Sequence, residues 1–190
     1  MCLYDEFAQD YHWLYSDHVL SGEPIIEENK DVLSLAERGT RILDCSYGIG
    51  MLALALARRA FKVVGSDGSK GMIEQAISAA AAAGLKIPLI CSTWEELPKH
   101  LEHQFDLVFC LGNSICHCRN RDEMLRSFKG MRRVLRNGGK LIINHVIGSI
   151  YDEKRSESHI FNGGSAAAGG ASPYMPGTSR NSLRLRTQSK

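Results

Sequence analysis

Residues 41–50 read Arg-Ile-Leu-Asp-Cys-Ser-Tyr-Gly-Ile-Gly, and this stretch decides the fold. A short apolar run ends in Asp44, two glycines follow at Gly48 and Gly50, and a helical pattern begins at Met51. Glycine permits a sharp turn and the close approach of a ligand, and the first turn of the next helix has N–H groups without intrahelical partners. The stretch therefore predicts a strand, a ligand-binding loop and a helix.

Strands and helices alternate on both sides of this loop. The hydrophobic periodicity predicts strands at 41–45, 61–66, 87–91, 105–111 and 140–146, with helices at 51–60, 69–83 and 121–135. Such alternation is typical of an α/β fold with a doubly wound, mostly parallel sheet and right-handed crossovers. The last of these helices has a start signal at Asn120 with Glu123, and a stop signal at Asn137-Gly138-Gly139.

The two ends of the chain differ in character from its centre. Residues 1–39 contain an aromatic-rich segment and a helical stretch from about Pro24 to Ala36, which together predict an N-terminal helical cap. Residues 151–190 are dominated by Gly, Ser, Ala and Pro and end in basic residues, so a disordered low-complexity tail is expected there. The alternating residues 40–150 form the predicted ligand-binding domain between them.

Length and charge limit the classes of partner. The chain has 190 residues and a net charge of +2, so a single core is expected and neither nucleic acid nor a membrane surface is favoured as a partner. No apolar stretch approaches the roughly 20 residues that span a bilayer, and the N-terminus lacks an apolar secretory segment. We therefore expect a cytoplasmic protein that acts on a small molecule.

The six cysteines have no spacing typical of a disulfide framework, and free thiols are expected. Cys116-His117-Cys118 resembles half of a zinc site, but structural zinc sites need two separated ligand pairs. No metal is therefore predicted.

The glycine loop is compatible with two cofactors. Gly48-Ile-Gly50-Met-Leu-Ala53 fits the dinucleotide fingerprint, and Asp67 lies at about the distance expected for a ribose-binding acid, as in an NAD-dependent oxidoreductase. Asp44 favours another cofactor, because a carboxylate repels a pyrophosphate and attracts an ammonium group, which S-adenosylmethionine carries. Trp94, after the third predicted strand, offers a flat surface for an adenine or simply a core side chain.

A narrower pattern follows the fourth predicted strand, where the chain reads Cys110-Leu-Gly-Asn-Ser-Ile-Cys-His117. With Asp44, the two glycines and Asp67, it resembles the class I S-adenosylmethionine-dependent methyltransferases, and within them most closely the glycine/sarcosine N-methyltransferases. The resemblance covers about Tyr4 to Val146. It implies methyl transfer from S-adenosylmethionine to a small-molecule amine or amino acid.

The resemblance also implies roles for individual residues. Tyr15 and Asn113 match positions that face the substrate, although Tyr15 also fits an ordinary helix surface. His117 matches a cofactor contact, although a histidine there also fits a residue that only ties the loop down. The expected cofactor-binding residues are, in chain order, Asp44, Ser46, Gly48, Gly50, Asp67, Gly68, Ser69, Met72, Thr93, Trp94, Leu111 and His117.

The chain departs from the family pattern in its loops. Tyr47 stands where the family has cysteine, which adds a large ring beside the glycines, and Phe7 stands where the family tends to have tyrosine. Val146 follows Asn144-His145, where glycine methyltransferases carry an arginine for the substrate carboxylate. Valine cannot replace a bidentate guanidinium, which puts glycine as the substrate in doubt.

The C-terminus departs from the family as well. Class I methyltransferases end with two further strands, and nothing after Ile150 has the pattern of either, so the last strands are predicted to be missing. The strand at 140–146 would then be an exposed apolar edge, through which the chain pairs into a homo-oligomer or aggregates. The alternative function on this basis is a catalytically inactive cofactor-binding or interaction module.

Overall fold

A six-stranded β-sheet runs through the computed structural model, which describes residues 3–37, 39–102, 104–147 and 155–162. The strands are β1 Arg41–Asp44, β2 Lys62–Asp67, β3 Leu89–Cys91, β4 Phe105–Cys110, β5 Leu135–Ile147 and β6 Arg155–Asn162. Their order is β3-β2-β1-β4-β5-β6, with the first five parallel and β6 antiparallel to β5. The prediction of a doubly wound, mostly parallel sheet is confirmed.

Eight α-helices and two short 3₁₀ turns are formed by the described residues. The helices are α1 Leu3–Phe7, α2 Asp17–Leu20, α3 Glu23–Glu28, α4 Lys30–Leu33, α5 Met51–Arg58, α6 Lys70–Ala82, α7 Leu97–His100 and α8 Arg121–Val134, and the 3₁₀ turns are Tyr11–Leu14 and Ser114–His117. In the part of the chain that the structure describes, no helix combines the length and apolar character needed to cross a bilayer.

The sheet is covered on both faces, because successive residues of a strand point in opposite directions. In β1, Ile42 belongs to a core cluster that includes Leu52 and Leu56 of α5. The next residue, Leu43, belongs to a second cluster that includes Met131 of α8. Because β4 is covered on both faces, nearly all of its side chains are buried and apolar.

Both ends of α8 agree with the predicted helix at 121–135 to within one residue, but the expected stop signal does not form its terminus. Asn120 caps the helix, and its side-chain oxygen accepts a hydrogen bond from the Glu123 N–H at 2.9 Å. The expected stop signal at 137–139 lies inside β5, between Leu135 and Lys140, where the pairing with β4 shifts register. Gly138 has a φ of +76°, so the glycines form an irregularity in the strand rather than a helix terminus.

The predicted helical stretch from Pro24 to Ala36 is divided in two. Asn29 ends α3 and precedes α4 with a φ of −108°. Its side-chain nitrogen donates to the Ile25 carbonyl at 2.8 Å, and this local bond competes with continuous helix geometry.

The prediction that the sheet ends at its fifth strand is wrong. Residues 155–162, which the sequence assigns to the low-complexity tail, form β6 and pair with β5 from Lys140↔Asn162 to Ile147↔Arg155. Ile160 of this strand packs against the core cluster that includes Ile42, and Phe161 makes a ring contact with Phe128 of α8 at 6.1 Å. The fifth strand is thus not an exposed edge. The expectation of a homo-oligomer assumed that it was, so this argument for a homo-oligomer no longer applies. The rest of the predicted tail, 151–154 and 163–190, lies outside the described residues.

Candidate cofactor site

A cavity of about 650 Å³ lies at the carboxyl ends of the central parallel strands, where α/β sheets bind ligands. It is lined by all of the predicted cofactor-binding residues except Gly50: Asp44, Ser46, Gly48, Asp67, Gly68, Ser69, Met72, Thr93, Trp94, Leu111 and His117. Tyr15, predicted to face the substrate, also lines the cavity. The structure thus brings these positions together, and their roles in binding stay predictions.

The glycine loop connects β1 to α5 in a left-handed backbone conformation. Gly48 has a φ of +54° and Gly50 a φ of +91°, a region that favours glycine. Gly50 does not line the cavity. It lies directly against the Tyr47 ring, since a Cβ at this position would be only 2.5 Å from that ring. The Gly48 N–H donates to Asp67 Oδ2 at 2.8 Å, which joins the loop to the end of β2.

The ring of Tyr47 packs beneath this loop. Its side chain is buried, and its ring also occupies the space that a Cβ at Gly65 would fill. Burial, with the charge of Asp44, raises the pKa of the Tyr47 phenol. The large ring that departs from the family pattern therefore forms part of the cavity floor and of the core.

Two carboxyl groups lie at the floor of the cavity. Burial raises the pKa of Asp44 to about 7, against the effect of its hydrogen bond from the Ser46 N–H, and the charge of Asp67 adds to the rise. The pKa of Asp67 is also raised by burial, although backbone N–H groups of Ser69, Gly48 and Gly68 stabilise its ionised form. Two buried acids in one cavity favour a ligand that carries positive charge or donates hydroxyl protons.

Trp94 is held in place by its indole nitrogen, which donates to the Cys45 carbonyl at 2.7 Å. Gly130 of α8 packs against the Trp94 carbonyl, in a space that a Cβ would fill. The ring both lines the cavity and packs against the core cluster around α8, so the two interpretations of Trp94 from the sequence are compatible.

Asn113 does not line the cavity, in contrast to its predicted substrate-facing position. It has a left-handed φ of +60°, and its Oδ1 accepts a hydrogen bond from Cys116 Sγ at 3.0 Å. Its backbone N–H donates to Asn144 Oδ1 at 3.3 Å. These bonds hold Asn113 against the 3₁₀ turn that follows it and against β5, while its neighbours Gly112 and Ser114 line the cavity.

The N-terminal segment forms a roof over the cavity, and most of its residues are not among the predicted site residues. Tyr4 and Tyr11 line the cavity beside Tyr15. Asp5 Oδ1 accepts hydrogen bonds from Ser69 Oγ at 2.7 Å and from the Gly71 N–H at 3.2 Å, at the start of α6. The tyrosines are seven and four residues apart, a helical spacing that could have revealed a shared face.

The roof is also attached on the side of β4. The Tyr4 hydroxyl lies 3.0 Å from His117 Nε2, within hydrogen-bond distance, and the two rings meet edge to face at 5.4 Å. His117 thus ties the roof to the loop after β4 as well as lining the cavity.

Charged side chains line the part of the cavity beside α8. Arg126 Nε lies 2.9 Å from Glu95 Oε2, and Arg119 Nε lies 3.0 Å from Glu123 Oε2. The guanidinium charges at this end are therefore matched by carboxylates. Exposed pairs of this kind contribute little to stability.

Comparisons with known proteins agree with this geometry. Residues 42–139, more than half of the chain, match the family model described as a methyltransferase domain. A glycine/sarcosine N-methyltransferase from Parasynechococcus marenigrum is 30% identical over 137 residues, which are 72% of this chain and 45% of that protein. Glycine N-methyltransferase from Homo sapiens is 29% identical over 142 residues, 68% of this chain and 45% of that protein. The chain spans less than half the length of these relatives.

Solved structures share the fold. A putative S-adenosylmethionine-dependent methyltransferase from Methanococcus maripaludis matches with a TM-score of 0.63 at 23% identity, over 74% of this chain and 63% of that one. The [4+2]-cyclase SpnF matches with a TM-score of 0.56 at 25% identity, over 66% of this chain and 46% of that one. The fold alone therefore does not fix the reaction.

The family match includes the glycine loop and Asp67, which overturns the alternative assignment of this loop to NAD. S-adenosylmethionine is the cofactor that the methyltransferase family match supports. The donor set fits it, because the buried Asp44 and the half-buried Asp67 suit an ammonium group and ribose hydroxyls. On the match over residues 42–139, the chain belongs to the methyltransferase domain family.

Proposed function

We propose that the chain transfers a methyl group from S-adenosylmethionine to the nitrogen of a small amine. The observation that carries this proposal is that Asp44 and Asp67, at the carboxyl ends of the adjacent strands β1 and β2, line one cavity together with Tyr15. The two acids suit the ammonium group and ribose hydroxyls of the cofactor. The ring and hydroxyl of Tyr15 offer an aromatic and polar surface to the acceptor. The names of the relatives, glycine/sarcosine and glycine N-methyltransferases, support an amine or amino acid as that acceptor.

The proposed cofactor contacts follow the order of the loops. Asp44, Ser46 and Gly48 would hold the methionine portion, and Asp67 would accept hydrogen bonds from the ribose. Thr93 and Trp94 would flank the adenine, in the part of the cavity that α8 closes. When bound, S-adenosylmethionine supplies a methyl carbon that its sulfonium makes electrophilic.

The remaining task of the protein is alignment, since a neutral amine needs no obligatory general base. The hydroxyl of Tyr15 lies 3.0 Å from that of Tyr11, and this pair can accept an N–H hydrogen bond from the acceptor. The roof formed by Tyr4 and its neighbours limits the access of water to the reacting atoms. Orientation and exclusion of water are the main sources of rate enhancement for such a transfer.

The test is methyl transfer by the full chain from methyl-labelled S-adenosylmethionine to a panel of small amines that includes glycine and sarcosine. The proposal predicts label in at least one amine, and loss of transfer in Asp44→Ala. Asp31→Ala is the matched control, because Asp31 is an exposed acid of α4 away from the cavity. Stable binding of S-adenosylhomocysteine with no label in any amine would instead support the inactive cofactor-binding module.

A further inference from the structure

Three tyrosines of the roof form one aromatic surface. Tyr4 and Tyr11 meet edge to face with ring centroids 5.9 Å apart, and Tyr11 and Tyr15 are 5.5 Å apart at 56°. All three line the cavity. We call this surface, Tyr4 with Tyr11 and Tyr15, the tyrosine wall.

The hydroxyl groups of the tyrosine wall are engaged with one another or with the loop after β4. Tyr4 pairs with His117, and Tyr11 pairs with Tyr15. Each hydroxyl has one proton to donate and two lone pairs that can accept. The bond between Tyr11 and Tyr15 uses one proton and one lone pair, so other lone pairs remain to accept a hydrogen bond from an N–H group. Burial and the bond to Tyr15 raise the pKa of Tyr11 above its usual value, so this phenol stays neutral at physiological pH.

The electrostatic surroundings of the tyrosine wall favour a cation. The charge of Asp67 reaches Tyr11 and contributes to the rise of its pKa, and the buried Asp44 lines the same cavity. The face of a tyrosine ring carries negative potential and attracts ammonium groups. A carboxylate on the acceptor would be repelled by the charge of these acids and by the negative potential of the ring faces.

The arginines that line the cavity are already paired. Among the described residues that line it, they are Arg119 and Arg126, each in an ion pair with a glutamate. Arg126 pairs with Glu95, next to Trp94 of the proposed adenine site. Both guanidinium groups are thus matched by a carboxylate, so neither is an unpaired partner for a substrate carboxylate.

We propose that the tyrosine wall selects the methyl acceptor by its cationic amine, so that small alkylamines without a carboxylate bind in preference to amino acids of similar size. The bound ammonium releases one proton to solvent, and the neutral nitrogen then attacks the methyl carbon. The ring faces of Tyr4 and Tyr11 contact the alkyl and ammonium groups, and the Tyr11–Tyr15 pair accepts an N–H bond. This inference rests on the proposed function, since it concerns the acceptor side of the same cavity. It differs from the acceptors named in the relatives.

The test is isothermal titration of the full chain, saturated with S-adenosylhomocysteine, with two matched pairs of ligands. Ethanolamine is compared with glycine, and N-methylethanolamine with sarcosine, because each pair replaces a carboxylate by a hydroxymethyl group. We expect the amino alcohols to bind at least about tenfold more tightly than the amino acids. Tyr11→Leu, which removes the ring, should weaken their binding by about tenfold, and Tyr11→Phe by much less.

Trp13→Leu is the control variant, because Trp13 is a 78% exposed aromatic residue of the same segment that does not line the cavity. It should leave amine binding unchanged. Tyr11→Phe also guards against a loss of folding in Tyr11→Leu, and the melting temperature of each variant is recorded without ligand.

Tighter binding of glycine or sarcosine than of the amino alcohols would overturn the inference, as would binding of none of the four ligands. Unchanged amine binding in a folded Tyr11→Leu would also overturn it. The proposed function is judged separately with the same preparations. Methyl transfer to glycine together with reversed selectivity would reject the tyrosine wall as selector and leave the proposed function intact.

Discussion

The floor and the roof of the cavity are held in place by different means. The floor is formed where β1 and β2 end, and Asp67 joins the two loops through backbone N–H groups of Gly48 and Ser69. The roof is a short N-terminal segment that is attached by side-chain bonds of Asp5 and Tyr4 and by the packing of Ala8 against Gly71. Changes in the floor should therefore alter stability and cofactor binding together, whereas changes in the roof should act mainly on access and on the acceptor.

The largest effect is expected from crowding the floor. Gly50→Ala places a methyl group against the Tyr47 ring in a left-handed conformation, and should lower the free energy of unfolding by about 2–4 kcal/mol. Gly84→Ala is the matched control, because Gly84 has a φ of +67° but no atom within 4 Å of the position that a Cβ would take. Urea unfolding of both variants separates crowding from backbone strain. Equal losses would show that the packing of Tyr47 beneath the loop contributes nothing.

The acidity of the floor gives stability a pH dependence. A carboxyl whose pKa rises to about 7 on folding binds its proton more tightly in the folded state. Stability is then greatest below the unfolded pKa near 4 and falls as the pH rises through 7. Between pH 5 and pH 8 the loss attributable to Asp44 should be roughly 2–3 kcal/mol. Urea unfolding at both pH values should show a flatter dependence in Asp44→Asn, and an unchanged slope would contradict the burial of this acid.

The bond between the two floor loops is tested by Asp67→Asn. The carboxylate accepts from Gly48 through Oδ2 and from Ser69 through Oδ1, whereas an amide offers a single oxygen. One N–H loses its partner, so we expect a loss of about 1–3 kcal/mol in the free energy of unfolding. The affinity for S-adenosylhomocysteine, measured by titration, should fall by about tenfold or more. Asp31→Asn should change neither quantity.

The roof should respond more weakly. Asp5→Ala removes the acceptor for Ser69 Oγ and the Gly71 N–H, and should cost about 1 kcal/mol. Hydrogen exchange of residues 3–15 should become faster, while exchange in β1 and β4 stays unchanged. Glu6→Ala, at an exposed neighbouring acid, is the control. Faster exchange throughout the sheet would contradict the distinction between floor and roof.

The sequence predicts the floor better than the roof for physical reasons. Strands buried on both faces, such as β4, have an unmistakable apolar run, and parallel strands place their carboxyl ends at one edge, so Asp44 and Asp67 could be expected to meet. The position of Tyr11 depends on the bonds of Asp5 to α6, a contact between distant residues that no local pattern encodes.

Two other differences have local causes. β6 gives little periodic signal, because the first five of its residues, 155–159, are polar, and its pairing with β5 depends on backbone groups that every residue carries. Asn113 is expected to face the substrate by resemblance, but its left-handed backbone and its bond from Cys116 direct it elsewhere. In both cases the hydrogen-bonding partner, rather than the residue type, decides the outcome.

The central claim is that the floor binds S-adenosylmethionine, and the most direct measurement is thermal unfolding of the full chain with S-adenosylhomocysteine and, separately, with NAD. A ligand at about 100 times its Kd stabilises the folded state by roughly 2.7 kcal/mol. We predict such a stabilisation with S-adenosylhomocysteine, its loss in Asp44→Ala, and no change with NAD. Stabilisation by NAD alone, or the same response in the wild type and in Asp44→Ala, would contradict the account.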